Sequence, residues 1–293
     1  MSRYLITGAA GMLGRDLDAV LSGRNVTALT RADLDITDLT AVTQAVAGHD
    51  VIINASAYTA VDDAETHEKL ATTVNGIGAG NLARAAAEVG AILVQYSTDY
   101  VFRGDGPTPY PEDAPIDPVS AYGHSKALGE KLVNEFNPGR SFIIRTAWLY
   151  GQHGPNFAST MLRLAGERET LSVVDDQVGQ PTWTIDLARA TLLLLDSGAP
   201  FGNYHGTNSG QASWFDFAQA IFGEAGLDPE RITPTTSAEF VRPAPRPSYS
   251  VLGHDSWSAA GLPAPRHWKQ ALGEAFSTGA LGRSTHSPSV GAP

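Results

Sequence analysis

The stretch Tyr4-Leu5-Ile6-Thr7-Gly8-Ala9-Ala10-Gly11-Met12-Leu13-Gly14 decides the fold, because a short apolar run leads directly into three glycines. The run predicts a buried strand, and the residues from Gly11 onward predict the start of a helix. A glycine-rich turn in this context lets a phosphate approach the backbone, and the helix N-terminus attracts its charge. The spacing G-x-x-G-x-x-G therefore predicts a dinucleotide site, with a plain strand-to-helix turn as the alternative.

The rest of the first half repeats the alternation of apolar runs and helical patterns that is typical of a parallel sheet. Strands are predicted at Tyr4–Thr7, Val26–Leu29, Val51–Asn54, Ile92–Ser97 and Ser141–Arg145. Ala64–Val89 predicts a long helix, and Gly76, Gly78 and Gly80 in its middle indicate either close packing against the cofactor or sheet, or a local kink.

The chain therefore predicts an α/β fold, a Rossmann-type doubly wound parallel sheet with a smaller C-terminal substrate-binding lobe. We expect residues 1–150 to form the dinucleotide-binding domain. Residues 151–277 should form mainly the substrate-binding lobe, with helices at Asn156–Gly166 and Thr184–Leu195 and some segments that return to the Rossmann domain. The small, polar residues 278–293 predict a disordered tail.

Composition narrows the function classes. The 293 residues carry a net charge of -11, which argues against a nucleic-acid partner because such proteins present basic surfaces. The absence of cysteine excludes disulfides and thiolate chemistry, and the eight histidines show no helical metal-ligand spacing, so no metal site is predicted. With no apolar stretch of about 18 residues, no membrane span is predicted, and we expect a cytoplasmic protein.

The stretch Tyr122-Gly123-His124-Ser125-Lys126 predicts the chemistry, because a Tyr and a Lys four residues apart lie on one helical face. A phenol has an ordinary pKa of about 10, and a nearby ammonium favours the phenolate and lowers that pKa. Downstream of a dinucleotide loop, the pair indicates a tyrosine that delivers a proton to a carbonyl beside a nicotinamide ring. The alternative is a helix surface with an unrelated Tyr and Lys.

Residues after the second strand bear on the choice of cofactor. An NAD site normally places an acidic side chain against the ribose 2′-hydroxyl, whereas this chain has Thr30-Arg31. A cation here accommodates a 2′-phosphate, so Arg31 favours NADPH, and Asp33 keeps NADH as the alternative. Asp35 and Ile36 are predicted to contact the adenine, or else to form a turn before a helix that starts at Asp38.

Two further strand ends carry candidate residues. The small side chains of Asn54–Asp62 allow a bulky cofactor to pass, and Asp62 either meets a substrate hydroxyl or caps the following helix. Thr98, at the end of the fourth strand, is placed to hydrogen-bond a reacting carbonyl oxygen together with Tyr122. Carboxyl ends of neighbouring parallel strands are where α/β sheets bind ligands.

Together these motifs resemble the extended short-chain dehydrogenase/reductase superfamily and, within it, the dTDP-4-dehydrorhamnose reductase family. The resemblance extends from about Arg3 to Phe276. It rests on Gly8–Gly14, Asn54–Asp62, Ser97–Phe102, Tyr122–Lys126, Arg145–Gly151 and Asp176–Thr182.

The resemblance implies hydride transfer from NADPH, or from NADH, to the C4 ketone of a dTDP-linked 4-keto-6-deoxy sugar, giving dTDP-L-rhamnose or a related deoxysugar. It implies that Tyr122 donates the proton, that Lys126 binds the nicotinamide ribose and tunes Tyr122, and that Thr98 polarises the carbonyl. The motifs and the resemblance together predict a set of cofactor-binding residues: Gly8, Gly11, Met12, Leu13, Gly14, Arg31, Asp35, Ile36, Ala57, Tyr58, Thr59, Tyr96, Tyr122 and Lys126. They likewise predict a set of substrate-binding residues: Thr98, Asp99, Tyr122, Trp148, Val61, Asp62 and Arg246.

The chain departs from related patterns at two places. Some family members hold Mg²⁺ with glutamates at a homodimer interface, but Arg15-Asp16 stands in the first helix here, so the sequence does not support a Mg²⁺ site. Related dehydratases carry a second carboxylate where this chain has Tyr100, which disfavours elimination of water. Two alternatives stay open: a nucleotide-sugar epimerase with a retained cofactor, and a non-catalytic regulatory homologue.

Overall fold

The computed structural model describes residues 2–282, so most of the predicted tail, residues 283–293, lies outside the described residues. The strands are β1 (Arg3–Thr7), β2 (Asn25–Leu29), β3 (Val51–Asn54), β4 (Ile92–Thr98), β5 (Ser141–Thr146), β6 (Leu149–Tyr150), β7 (Leu171–Val174), β8 (Val178–Gly179), β9 (Thr182–Trp183), β10 (Gly202–His205), β11 (Ala212–Ser213) and β12 (Ile232–Thr235). The helices are α1 (Met12–Val20), α2 (Leu39–Val46), α3 (Val61–Ala64), α4 (Glu68–Thr72), α5 (Ala79–Val89), α6 (Ala121–Phe136), α7 (Phe157–Ala165), α8 (Thr184–Ser197), α9 (Trp214–Glu224), α10 (Asp255–Ala259) and α11 (Trp268–Ser277).

A six-stranded parallel sheet with the order β2-β1-β3-β4-β5-β10 forms the centre of the molecule. The predicted Rossmann-type fold is confirmed, and the five predicted strands agree with the observed ones to within one residue at each end. The chain leaves β1 first toward β2 and then crosses to β3 on the other side. The carboxyl ends of β1 and β3 therefore form the crevice where such sheets bind ligands.

Alternating side chains of the strands supply two apolar layers, because successive residues of a strand face opposite sides of the sheet. Tyr4 and Ile6 of β1 pack with Leu17 of α1 and Leu187 of α8. Leu5, between them, packs on the other face in a cluster to which α2, α5 and α6 contribute. The sheet is thus covered by helices on both faces, which accounts for its nearly continuous apolar strands.

The helix predicted over Ala64–Val89 is interrupted by a π-helical turn, Thr73–Gly78, between α4 and α5. Its glycines permit close packing against side chains of other elements, and a Cβ on Gly78 would lie 2.7 Å from the Ile36 side chain. A Cβ on Gly76 would lie 2.6 Å from the Leu128 side chain of α6, and one on Gly80 would lie 3.0 Å from Leu132. The small residues therefore let α6, the helix of the Tyr-Lys pair, approach closely.

The second apolar cluster belongs to the C-terminal part of the chain and is formed mainly by α7, α9 and α11 with the short strands around them. Three later elements join the sheet side instead: β10 as its sixth strand, and α8 and α10 through Leu187 and Trp257. Leu281, inside the predicted tail, is buried in the C-terminal cluster. Across residues 2–282, no helix combines the length and apolarity that crossing a membrane requires.

Candidate active site

The turn after β1 requires glycine for steric reasons. Gly8 has φ +71°, and a Cβ there would lie 2.7 Å from the carbonyl carbon of Ala55 at the end of β3. A Cβ on Gly14 would lie 2.3 Å from the carbonyl oxygen of Gly8. Gly8 therefore allows β1 and β3 to approach at the crevice, and Gly14 allows α1 to pack against the turn.

The N-terminus of α1 is open to an anion. Its N-cap residue, Gly11, provides no side-chain hydrogen bond, so the amides of the first turn have no side-chain cap. They face the crevice formed by two adjoining cavities of about 310 and 630 Å³. Because Gly11, Ala55, Ser56 and Ala57 line both cavities, the two form one groove across the sheet edge. A groove with a free helix N-terminus at its centre fits a dinucleotide pyrophosphate.

Arg31 lines the smaller cavity together with Asp35 and Ile36, as the sequence predicts for an adenosine site. Asp33 does not line it, because its carboxylate accepts hydrogen bonds from the backbone N–H (2.9 Å) and the hydroxyl (2.6 Å) of Thr30. Asp35 similarly accepts from Thr37. The acidic side chain that an NADH site needs is therefore held in a local turn, while the exposed Arg31 guanidinium faces the cavity.

Tyr122 and Lys126 reach the larger cavity because α6 lies close to the end of β4. A Cβ on Gly123 would lie only 2.3 Å from the carbonyl oxygen of Tyr100, so glycine is required at this crossing. The helix begins at Ser120, whose hydroxyl accepts from the Gly123 N–H. Tyr122 and Lys126 are both buried, and His124 is exposed.

The pKa of Tyr122 is raised, because burial of the phenol disfavours its charged form and the Thr98 side chain offsets this only in part. This direction is opposite to the one that we predicted from the Tyr-Lys spacing. The physical reason is that burial at the end of β4 dominates, and that Asp99 and Tyr100 raise the pKa of Tyr122 further. A raised pKa keeps Tyr122 protonated at neutral pH, which is the state that a proton donor requires.

Lys126 is anchored from the sheet side. Its Nζ donates a hydrogen bond of 2.7 Å to the carbonyl oxygen of Tyr96, and burial lowers its pKa to about 8. Glu130, one turn along α6, opposes that shift, but its carboxylate is already bound by Arg145 at 2.9 and 2.8 Å. Two of the three ammonium donors of Lys126 remain for other groups.

Thr98 and Asp99 follow β4 and line the same cavity as Tyr122. The Thr98 hydroxyl donates to Asp99 Oδ1 at 2.9 Å and accepts from the Tyr100 N–H at 3.2 Å. Asp99 is buried, and burial raises its pKa to about 6, against hydrogen bonds from Ser250 and Thr98 that lower it.

Trp148 forms a wall of the larger cavity in an unusual backbone conformation. Its φ of +47° is rare for a non-glycine residue, so surrounding packing must hold it. The indole stacks on Trp214 with ring centroids 3.5 Å apart, and a Cβ on Gly179 would lie 2.6 Å from it. Trp214 thus supports Trp148, while Trp183, Trp257 and Trp268 are buried in the cores.

Asp62 does not cap a helix, which is one of the two roles predicted for it. Within α3 its carboxylate accepts hydrogen bonds from Arg242 (2.9 Å), from Arg246 (2.8 Å) and from the Ala244 N–H (3.3 Å). The cause is the tertiary position of residues 242–246, which fold back onto α3. Asp62 therefore ties this C-terminal loop to the Rossmann domain.

The structure brings most of the predicted residues together. Those that line the groove are Gly8, Gly11, Met12, Leu13, Arg31, Asp35, Ile36, Ala57, Tyr58, Thr59, Val61, Tyr96, Thr98, Asp99, Tyr122, Lys126 and Trp148. Gly14, Asp62 and Arg246 do not line it. Of these, Gly14 supports the turn, and Arg246 lies next to Tyr100 with its guanidinium carbon 6.0 Å from the ring centroid.

Asn75, which we did not predict, connects the cofactor side of the groove to α6. Buried in the π-helical turn, it accepts from the Tyr58 N–H (2.8 Å) and donates to the Tyr58 carbonyl (2.9 Å) and to Ser125 Oγ (2.9 Å). Ser125 in turn donates to the Tyr122 carbonyl at 2.7 Å. The polar Asn within a helical pattern was the available sequence signal, but its partners are distant in the chain.

The acidic and histidine side chains of residues 2–282 do not form a metal site. Among residues 2–282, no group of three or more His, Asp or Glu side chains lies close enough together to hold a metal ion. Asp16, at the place where the resemblance implies an acidic ligand, lies 4.0 Å from His153 Nε2 and has Oδ2 buried without a partner in the described structure. One carboxylate and one imidazole do not fit a Mg²⁺ ion, which prefers several oxygen ligands.

Comparisons with known proteins agree with this geometry. The family described as RmlD substrate binding domain matches residues 2–280. The chain is 51% identical over 296 residues to a dTDP-4-dehydrorhamnose reductase of Streptomyces griseus, covering 98% of this chain and 97% of that one. It is 49% identical to a dTDP-4-keto-6-deoxy-D-glucose reductase of Streptomyces niveus, covering 94% and 96%.

A solved structure is similar over the whole fold. The dTDP-4-dehydrorhamnose reductase of Bacillus anthracis in complex with NADP superposes with a TM-score of 0.91 at 41% identity. The match covers 95% of this chain and 99% of that chain. At this identity the likeness extends beyond the fold to the family.

Proposed function

Because the chain belongs to the dTDP-4-dehydrorhamnose reductase family, we propose that it reduces the C4 ketone of a dTDP-linked 4-keto-6-deoxy sugar. It is an NADPH-dependent oxidoreductase, and its product is dTDP-L-rhamnose or a related deoxysugar. The observation that carries the proposal is the single groove in which the glycine turn, Thr98, Tyr122 and Lys126 meet.

We expect the cofactor to lie along the whole groove. The turn from Gly8 to Gly14 and the free amides of α1 would hold the pyrophosphate, since Gly8 and Gly11 line the groove and the first turn of α1 has no side-chain cap. Arg31 would bind the 2′-phosphate, with Asp35 and Ile36 beside the adenine. Tyr96 and the segment Ala57–Thr59 line the remaining wall. When bound, NADPH supplies the hydride that adds to the ketone carbon.

Tyr122 acts as the proton donor. As the ketone carbon is reduced, the electron pair of the C=O bond moves to oxygen, and the Tyr122 hydroxyl gives that oxygen its proton. The raised pKa keeps the donor protonated beforehand, and an alkoxide is a far stronger base than a phenolate, so the transfer is downhill. Thr98, adjacent to Tyr122, stabilises the charge that develops on the oxygen.

Lys126 positions the reaction and supplies positive charge. One of its donors is held by the Tyr96 carbonyl, which fixes the ammonium on the floor of the cavity. Its two other donors would serve the nicotinamide ribose and the Tyr122 phenolate that remains after proton transfer. Preorganised groups of this kind lower a barrier because they need no rearrangement during the reaction.

The sugar nucleotide occupies the outer part of the larger cavity, where Val61, Asp99 and Trp148 form the walls. Arg246 is suited to its diphosphate, because a guanidinium matches phosphate oxygens in geometry and charge. Its Nη1 is buried and has no hydrogen-bond partner among residues 2–282. We propose that the protein acts without a nucleic-acid partner, in keeping with its net charge of -11, and that any homodimer forms without bridging Mg²⁺.

The test is to follow NADPH absorbance while dTDP-linked 4-keto-6-deoxy sugars are offered to the purified protein. Stoichiometric oxidation with at least one sugar is expected, and oxidation with none would refute the reductase. An epimerase would instead copurify with its nicotinamide and turn over without added NADPH. A regulatory homologue would bind NADPH but be indifferent to replacement of Tyr122 by Phe.

A further inference from the structure

The Thr98 hydroxyl has one proton, and in this structure that proton is directed away from the reacting groups. Its Oγ1 donates to Asp99 Oδ1 at 2.9 Å and accepts from the Tyr100 N–H at 3.2 Å. A hydroxyl has one donor and two acceptor positions, so with its proton on Asp99 Thr98 retains one acceptor position, which faces the neighbouring Tyr122 hydroxyl. It therefore has no proton to offer a ketone oxygen as long as this arrangement persists.

Asp99 is an unusual partner for that proton. Asp99 is 2% exposed, and its Oδ2 has no partner at hydrogen-bond geometry in residues 2–282, although the Ser250 side chain lies close enough to lower its pKa. A buried carboxylate with a free oxygen is costly, and burial accordingly raises the pKa of Asp99 to about 6. The nearest titratable groups are the phenols of Tyr100 and Tyr122, and beyond Tyr100 lie Arg246 and its partner Asp62.

We propose that Asp99 is a positioning residue whose protonation turns the Thr98 hydroxyl toward the substrate. As a carboxylate, Asp99 accepts a hydrogen bond from the Thr98 hydroxyl. As a neutral acid, Asp99 donates its own proton to Thr98 Oγ1, and the Thr98 proton is then free to hydrogen-bond the ketone oxygen. The inference rests on the proposed function, because it presumes that a carbonyl oxygen binds beside Thr98.

Substrate binding favours the neutral acid for a simple reason. Asp99 is already almost fully buried, and a sugar that fills the cavity that it lines closes its last contact with solvent. Loss of water disfavours the charged form further, and no cation contacts Asp99 within the described residues to compensate. The protein is therefore expected to take up a proton from solvent as the sugar binds, and to release it when the product leaves.

Proton uptake can be measured without turnover. Binding of the dTDP-deoxysugar product to the NADP⁺-loaded protein is followed by calorimetry at pH 7.5 in two buffers of different ionisation enthalpy. Uptake of about one proton per site is expected for the wild type, because Asp99 is ionised before binding and neutral after it. Asp99→Asn should show none, since an amide cannot titrate.

Kinetics separate this role from a purely structural one. The side-chain amide that Asp99→Asn introduces can donate to Thr98 Oγ1 as the neutral acid does, so the loss of kcat in this variant should be at least about tenfold smaller than the loss in Thr98→Val. Thr98→Val should lose kcat by about a hundredfold or more, because the hydroxyl itself is gone. Glu112→Gln is the matched control, since Glu112 is another buried acid, remote from the groove, and should leave proton uptake unchanged.

Two results would overturn the inference. One is a wild-type protein that binds the sugar with no proton uptake, and the other is an Asp99→Asn variant whose kcat falls as far as that of Thr98→Val. If the wild type neither binds nor reduces any 4-keto sugar, the proposed function itself fails. That outcome is distinct, because it is seen before any variant is made.

Discussion

Gly123 lies against the backbone of Tyr100 so closely that a Cβ would come within 2.3 Å of the Tyr100 carbonyl oxygen. This contact sets the distance between α6, which carries Tyr122, and the end of β4, which carries Thr98. The geometry of the site therefore depends on the absence of a Cβ at residue 123. This can be tested by a substitution that adds one.

Gly123→Ala should lower both activity and stability, because α6 must move away from β4 to admit the methyl group. A shift near 1 Å can reduce kcat by about a hundredfold, and overpacking costs about 1–3 kcal/mol of unfolding free energy. Steady-state kinetics and urea unfolding provide the measurements. Gly223→Ala is the control, since the nearest atom to its Cβ lies 3.9 Å away, and this substitution within α9 should be neutral or stabilising. Equal effects of the two substitutions would contradict this account of α6.

Tyr122→Phe should abolish reduction while leaving the cofactor site intact. Loss of a proton donor reduces kcat by roughly 10²–10⁴-fold, and the ring itself still fills its place beside Tyr100. NADPH binding, measured by fluorescence titration, should be close to that of wild type. Tyr204→Phe removes a hydroxyl bonded to the Pro200 carbonyl outside the groove and should leave kcat unchanged. A Tyr122→Phe variant with near-normal kcat would exclude Tyr122 as donor.

Arg31→Ala should weaken NADPH binding by about tenfold or more, since a charged hydrogen bond contributes about 1.5–3 kcal/mol. NADH affinity should hardly change, because Asp33 is already committed to Thr30 and Arg31 has no 2′-phosphate to bind. Dissociation constants for both cofactors provide the test. Arg163→Ala, which removes an exposed arginine paired with Glu167, should alter neither. Equal losses for NADPH and NADH would argue against a 2′-phosphate contact.

Asn75→Leu should uncouple the cofactor loop from α6. It removes three hydrogen bonds that join Tyr58 to Ser125, and we expect kcat/KM for NADPH to fall about tenfold. Asn137→Leu is the matched control, because Asn137 is a buried asparagine that donates to the Ala91 and Arg140 carbonyls far from the groove. Both variants should lose about 1–3 kcal/mol of stability, but only Asn75→Leu should lose activity. Equal losses of kcat/KM in the two variants would show that Asn75 contributes only to stability.

The lowered pKa of Lys126 predicts that cofactor binding depends on pH. Burial lowers its pKa to about 8, so the ammonium is present below pH 8 and is lost as the pH rises above it. NADPH affinity should therefore fall between about pH 7 and pH 9, as measured by fluorescence titration across that range. Lys126→Met should bind more weakly and lose this dependence, whereas Lys131→Met, on the exposed side of α6, should retain it. An unchanged slope in Lys126→Met would assign the titration to another group.

The interruption of the helix over Ala64–Val89 marks where sequence reasoning failed. Glycine spacing indicated a weak point, but it did not show that Leu128 and Leu132 of α6 pack against Gly76 in the π-helical turn and Gly80 in α5. Those partners are about 50 residues away in the chain, and no local pattern reports them. The same holds for Asp62, which binds Arg242 and Arg246 and does not cap a helix. These partners lie about 180 residues later in the chain, so only the folded position of their loop brings them to Asp62.

The sequence by itself determined five of the six strands of the parallel sheet and most of the residues that converge on the groove, because alternation, glycine spacing and strand ends are local properties of the chain. It did not predict β10, the sixth strand. Only the tertiary structure decided the protonation states of those groups and their hydrogen-bond partners. Burial raises the pKa of Tyr122, the Tyr96 carbonyl accepts a hydrogen bond from Lys126, and Asp99 accepts one from Thr98. Desolvation and hydrogen-bond direction depend on neighbours that only folding brings together.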